Sequence, residues 1–183
     1  MRTFIALELP HRLQNTLADM QKCFGTAQYG IRWVRPGNIH LTLKFLGATP
    51  EDKQEQICMT LDSAASDCKP LVLDVSGVSA FPNTRNPKVI WAGVTTSPEM
   101  TVLQQRLDEG LGSLGFAPEK RPFAPHLTLG RVKDIRIRRA LRPVMEQLSG
   151  QHIGTCEASR LIFFKSDLKP DGPVYSVLKA VRL

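Results

Sequence analysis

The tetrapeptide His-Leu-Thr-Leu occurs twice, as His40–Leu43 and as His126–Leu129. The chain has four histidines, so half of them sit in one repeated setting. Side chains of a strand alternate between its two faces. Read as a strand, each copy presents an imidazole and a hydroxyl on one face and two leucines on the other. Two such strands brought together would line a cleft with two imidazoles and two hydroxyls. That set suits chemistry at a phosphate: one ring takes a proton, one gives a proton, and the hydroxyls hold oxygens.

The elements that must position these residues follow from the spacing of the two histidines, 86 residues from 40 to 126. The same offset carries Phe4–Leu7 onto Ile90–Gly93, and both stretches read as strands. It carries the amphipathic stretch Pro10–Phe24, with Leu13, Leu17 and Met20 on one face, onto Thr96–Gly110. There Leu103 and Leu107 mark a second helix that runs on to Leu114. It carries Glu51–Ala65, with Ile57 and Leu61, onto Ile137–Gln151. In that segment Leu141, Val144, Met145 and Leu148 indicate a helix with Pro143 in its first turn. Leu71–Val75 lands on the approach to a strand at Leu161–Phe164. Each half therefore reads strand, helix, motif strand, helix, strand, and Pro173–Leu183 alternates as one strand more. Breakers lie at Gly47–Pro50, Pro82–Pro87, Pro118–Pro125 and Lys169–Pro173. The expected organisation is one domain over 1–183 made of two duplicated lobes, 1–86 and 87–183, with the motifs at their interface.

Length and composition are those of an ordinary globular chain of 183 residues. No apolar run is long enough for a membrane span, and the opening residues lack a signal-peptide pattern. Cys23, Cys58, Cys68 and Cys156 form no CxxC pair, which points away from disulfides and towards the cytoplasm. The net charge of +7 favours an anionic partner such as RNA. Zinc usually takes three or four protein ligands, and no HxH, HExxH or carboxylate cluster accompanies the two histidines. No GxSxG marks a serine nucleophile.

Around the motifs, Arg35, Lys44, Phe45 and Arg131 are candidates to bind substrate. Lys44 is an even step from His40 and belongs on the cleft face. Phe45 is an odd step away and belongs in the core unless the strand twists. Arg131 is an odd step from His126 and reaches the cleft only if the strand bends at Gly130. Trp33 and Phe123 precede the motifs and could line a mouth. The cluster Arg136, Arg138, Arg139 and Arg142 reads as a solvated face with some attraction for phosphates.

The wider contexts, Trp33–Gly47 and Phe123–Arg131, resemble the paired His-x-Thr-x motifs of the two-histidine (2H) phosphoesterases. They are most similar to the bacterial and archaeal RNA 2′,3′-cyclic phosphodiesterases, also called 2′-5′ RNA ligases. The opening Arg2–Leu7, with Phe164–Ser166 and Gly172–Tyr175, is similar to that family too, so the resemblance spans the chain. It implies an α+β fold of two pseudo-symmetric lobes, each an antiparallel sheet with helices on its outer side, and an active-site cleft between them. It implies hydrolysis of a terminal 2′,3′-cyclic phosphate to a 2′-phosphate without metal or cofactor. His126 would take a proton from water, His40 would protonate the leaving 3′-oxygen, and Thr42 and Thr128 would hold the non-bridging oxygens. Run in reverse, the same pair would join RNA ends by a 2′-5′ bond. The expected partner is RNA with a cyclic phosphate end, bound by a monomer. Other readings stay open: action on 2′-5′ oligoadenylate or a small cyclic nucleotide, or RNA binding without catalysis.

Overall fold

Among the described residues, thirteen regular elements follow the breakers read from the sequence. They are β1 (Arg2–Leu7), α1 (His11–Lys22), β2 (Ile31–Trp33), β3 (Leu41–Ala48), α2 (Gln54–Ala65), β4 (Leu71–Phe81) and β5 (Val89–Val94). Then come α3 (Pro98–Ser113), β6 (His126–Val132), α4 (Arg138–Leu148), β7 (His152–Ala158), β8 (Arg160–Lys169) and β9 (Gly172–Arg182). This computed structural model describes all residues except 120 and 171, and all side chains except those two and residues 26–28. The breakers Pro118–Pro125 and Lys169–Pro173 each contain one position outside the described residues.

The local chemistry of the helices is plain. Ser97 caps α3 by accepting from the Met100 N–H at 3.1 Å, and Pro98 fills the first helical position, where no N–H is needed. Leu103, Leu107 and Leu111 recur on one face and are fully buried. In α4, Pro143 lies in the second turn and not the first, because the helix begins at Arg138 after a 3-10 turn that Asp134 caps. The ring therefore removes one interior hydrogen bond. Burial of Leu141, Met145 and Leu148 holds the helix in place despite that loss.

The strands form one antiparallel, nine-stranded sheet in the order β7-β4-β5-β6-β3-β1-β8-β9, with β2 pairing β6 off that path. The motif strands β3 and β6 are the central neighbours, and they touch at a single pair, Leu41 with Leu127. Beyond that pair they part, since the far end of β6 pairs β2 instead. One half-sheet is β3-β1-β8-β9 and the other is β6-β5-β4-β7. Helices α2 and α3 pack together on the first half-sheet, while α1 and α4 lie on the second. This is the expected two-lobed α+β arrangement.

The lobes, however, do not divide at residue 86. Strand β4 comes from the first half of the chain but pairs β5 and β7, and α1 packs on β7. Reciprocally, β8 pairs β1, and α3 packs on β3. Each lobe thus takes its first strand, motif strand and second helix from one half, and its first helix and third strand from the other. The offset of 86 identifies equivalent elements; the strand pairing decides which lobe receives them.

Candidate active site

The pair Leu41–Leu127 sets the geometry of the site. Both leucines are fully buried, as is Leu129, and Leu43 nearly so. Alternation then turns His40, Thr42, His126 and Thr128 to the opposite face, where all four line one cavity of about 430 Å³. Extending the antiparallel register by one residue sets His40 across from Thr128 and Thr42 across from His126. The histidines occupy diagonal positions, for which spacings of about 7–8 Å are usual, enough for a phosphate between the rings.

Both rings are held in the same way. The Nδ1–H of His40 donates to the Asn38 carbonyl at 2.7 Å, and that of His126 to the Ala124 carbonyl at 2.8 Å. A carbonyl oxygen can only accept, so each neutral ring carries its hydrogen on Nδ1 and keeps the Nε2 lone pair free. The Asn38 amide in turn donates to the Pro173 carbonyl at 3.0 Å, which ties the turn before β3 to β9.

The surroundings of the two rings differ. Phe4 stacks on His40 with centroids 4.7 Å apart, and Tyr175 meets it edge-on at 5.3 Å. This apolar packing disfavours the charged imidazolium and pushes the His40 pKa down to about 4, against the pull of the Asn38 carbonyl. His126 meets Phe81 edge-on at 5.0 Å and Trp91 at 6.2 Å. Burial raises the Tyr175 phenol, and the Arg131 charge, contributed by the other lobe, opposes that rise.

Bulges place the next residues. Pairing of β3 with β1 skips Leu43, since Ile5 faces Lys44 and Ala6 faces Thr42. Pairing of β6 with β5 skips Leu129, since Ile90 faces Gly130 and Trp91 faces Thr128. The two skipped leucines are equivalent under the 86-residue offset, so the same bulge occurs in both motif strands. An extra residue reverses the alternation beyond it. Phe45 consequently turns to the cleft, 64% exposed, and Arg131 turns to it from the other lobe. Gly130 is packed inward, where a Cβ would stand 2.7 Å from Ile31 and Trp33.

The same reversal corrects the expectation for Lys44. It does not share the cleft face. Its ammonium is buried against Asp108 of α3 and donates to the Ala117 carbonyl at 2.6 Å. Lys44 is a core ion pair, removed from the cavity. Arg35 and Trp33 do line the cavity, whereas Phe123 is not among its walls. Arg2, Arg32, Phe4 and Tyr175 complete the site without having been singled out from the sequence. Phe4 pairs Phe45 across β1 and β3, a neighbour relation that the bulge sets and the sequence does not announce.

The cavity therefore offers two imidazoles with free Nε2 atoms, the two motif hydroxyls, four arginines and an aromatic wall, with Thr3, Ser166 and Tyr175 also among its lining residues. Among the described residues no group of three or more His, Cys, Asp or Glu side chains is placed to hold a metal ion. Nor is any helix there long and apolar enough to cross a membrane.

Known proteins share this fold and a substantial part of this sequence. The RNA 2′,3′-cyclic phosphodiesterase of Methanocaldococcus jannaschii is 35% identical over 98% of this chain and 99% of its own length. That of Methanothermobacter thermautotrophicus is 33% identical over 100% and 99%. Among solved structures, the TT0787 protein of Thermus thermophilus superposes with a TM-score of 0.81 at 27% identity, covering 100% of this chain and 98% of that one. The LigT protein of E. coli complexed with 3′-AMP gives 0.79 at 23%, covering 100% and 97%, a likeness of fold. The model of the family described as LigT like Phosphoesterase matches residues 7–91 and 94–175, nearly the whole chain. With paired motifs facing one cleft and full-length relatives on this scale, the chain belongs to the LigT-like phosphoesterase family.

Proposed function

We propose that the protein opens the terminal 2′,3′-cyclic phosphate of RNA to a 2′-phosphate by two-histidine acid–base catalysis, and joins RNA ends by a 2′-5′ bond in reverse. The observation that carries this reading is the pair of Nδ1-anchored imidazoles whose Nε2 atoms are free in one arginine-lined cavity. The names of the full-length relatives in Methanocaldococcus jannaschii and Methanothermobacter thermautotrophicus support the substrate class.

In-line displacement needs attacker and leaving group on opposite sides of phosphorus, and two rings on two facing strands suit that demand. His126 takes the proton of the attacking water, and His40 protonates the departing 3′-oxygen. Thr42 and Thr128 donate to the non-bridging oxygens, where charge develops. Arg131 draws the phosphate in, with Arg35 at the mouth, and Phe45 offers a flat face for the terminal base.

His40 must be charged to act as the acid, yet in the open cleft its pKa lies near 4. A phosphate anion about 4 Å away is worth about 4 kcal/mol at an effective dielectric of 20, or about three pK units. Substrate therefore brings His40 into its acidic form by its own charge. Since both motifs belong to one chain, a single copy holds both histidines and both threonines, and a monomer suffices for the reaction. Its four free cysteines suit the reducing cytoplasm.

The test is turnover of an RNA ending in a 2′,3′-cyclic phosphate. The His40→Ala and His126→Ala variants should each lose at least about a hundredfold in rate. Near-normal turnover in either overturns the assignment. Activity should be the same in EDTA; loss on chelation with rescue by zinc would point to a metal mechanism instead.

A further inference from the structure

The hydrolytic reading accounts for the aromatic wall beside His40 but leaves Phe81 without a task. Phe81 ends β4 and is 38% exposed, large for an aromatic side chain placed against a catalytic ring. The pairing runs Arg131–Val89–Phe81 across three adjacent strands, all on the cleft face. Strands are about 4.8 Å apart, so Phe81 stands about 10 Å from Arg131 along that row. Its ring centre lies 5.0 Å from that of Trp91 and 5.0 Å from that of His126, the latter ring nearly at right angles to it. The connection that follows carries Arg85 and Lys88, both exposed. It is held in shape by the Lys88 N–H donating to the Phe81 carbonyl at 2.8 Å and by the Asn83 carboxamide oxygen accepting from two backbone N–H groups. An exposed aromatic face beside cations is the usual platform for a nucleobase and its backbone.

We propose that Phe81, with Arg85 and Lys88, forms a second nucleoside site that receives the RNA end bearing a 5′-hydroxyl. The proposal rests on the two-histidine reading above, because it uses the polarity of that mechanism. The attacker enters on the His126 side, so whatever carries it lies beside His126, where Phe81 is. In the joining step the 5′-oxygen bonds to phosphorus and its proton passes to His126. The bond from phosphorus to the 3′-oxygen breaks, and His40 supplies the proton that completes the 3′-hydroxyl. Strain in the cyclic phosphate drives the step, and no other reactant is consumed. When water attacks, this platform stays empty.

The experiment compares Phe81→Ala with the unaltered protein on two substrates. One is uridine 2′,3′-cyclic phosphate, whose hydrolysis needs only water as attacker. The other is the 2′-5′-linked dinucleotide of uridine, whose cleavage reverses the joining step and engages both nucleosides. The variant should lose at least about tenfold more in kcat/KM on the dinucleotide than on the cyclic mononucleotide, the size of a lost base stack, chiefly through KM. Phe81→Tyr should restore the ratio. Equal losses on both substrates would show that Phe81 only steadies His126 and would overturn the proposal, as would no loss on either. If the unaltered protein opens the cyclic phosphate but neither cleaves nor forms the dinucleotide, the second site falls alone. If it opens neither, the two-histidine reading falls with it.

Discussion

At the scale of single residues, the two histidines share an anchor and differ in environment. Each gives its Nδ1 hydrogen to a carbonyl two residues upstream, so only Nε2 is available for chemistry. Their division of labour is testable with leaving groups. An aryl phosphodiester expels a weakly basic phenolate that needs no proton. His40→Ala should lose far less on that ester than on the cyclic phosphate, whereas His126→Ala should lose similarly on both. The opposite pattern would exchange the roles. The lowered pKa of His40 gives a second check by NMR titration of its ring. The midpoint should lie near 4 in the free protein and move upward by about three units when uridine 2′-phosphate fills the cleft. A midpoint that stays put would remove the substrate-charging step. The histidines and threonines were legible in the sequence because a repeated string with period-two alternation specifies both identity and face.

At the scale of elements, the bulges decide what lies beside the histidines. Alternation alone put Lys44 in the cleft and Phe45 in the core, and one extra residue at Leu43 exchanged them. The sequence holds a hint at Gly130, the equivalent of Lys44, yet nothing in the first motif signals the bulge. Each bulge is fastened to a helix contributed by the opposite half of the chain. Gln21 of α1 donates to the carbonyls of Val34 and Leu129 at 2.8 and 3.0 Å. Lys44, inside the other bulge, pairs with Asp108 of α3. Gln21→Leu strands the Val34 carbonyl and should cost about 1–2 kcal/mol in denaturant unfolding. It should also raise KM more than it lowers kcat, since Arg131 loses its fixed direction. For the ion pair, what remains buried sets the cost. The Lys44 side chain is 1% exposed and that of Asp108 21%. Asp108→Asn, which leaves a buried ammonium, should therefore destabilise more than Lys44→Met, which leaves a carboxylate that water can reach.

At the scale of the whole molecule, stability should follow pH through His40. Its pKa is near 4 folded and about 6.5 unfolded, so between those values the unfolded chain binds one proton more. Folding is thus strengthened as pH rises from 4 to 6.5 and weakened as it falls. The loss on acidification should amount to about 3 kcal/mol from this residue and should be missing in His40→Asn. Urea melts at about pH 7 and about pH 4.5, on either side of most of that interval, check it; equal slopes for both proteins would refute it. The two-lobed α+β plan was legible in the sequence because the 86-residue offset kept the order of elements. The exchange of α1 and β4 for α3 and β8 was not, because periodicity records which face an element buries but carries no address for its partner.

That exchange makes the halves mutually dependent. A break in the backbone between Arg85 and Asn86 would leave an amino-terminal piece with β4 and α1 but without β5 and β7, their neighbours in the sheet. The carboxy-terminal piece would keep β8 without β1 beside it. Neither fragment could close a hydrophobic layer alone, whereas the two expressed together should knit into one working enzyme, like two hands with interlaced fingers.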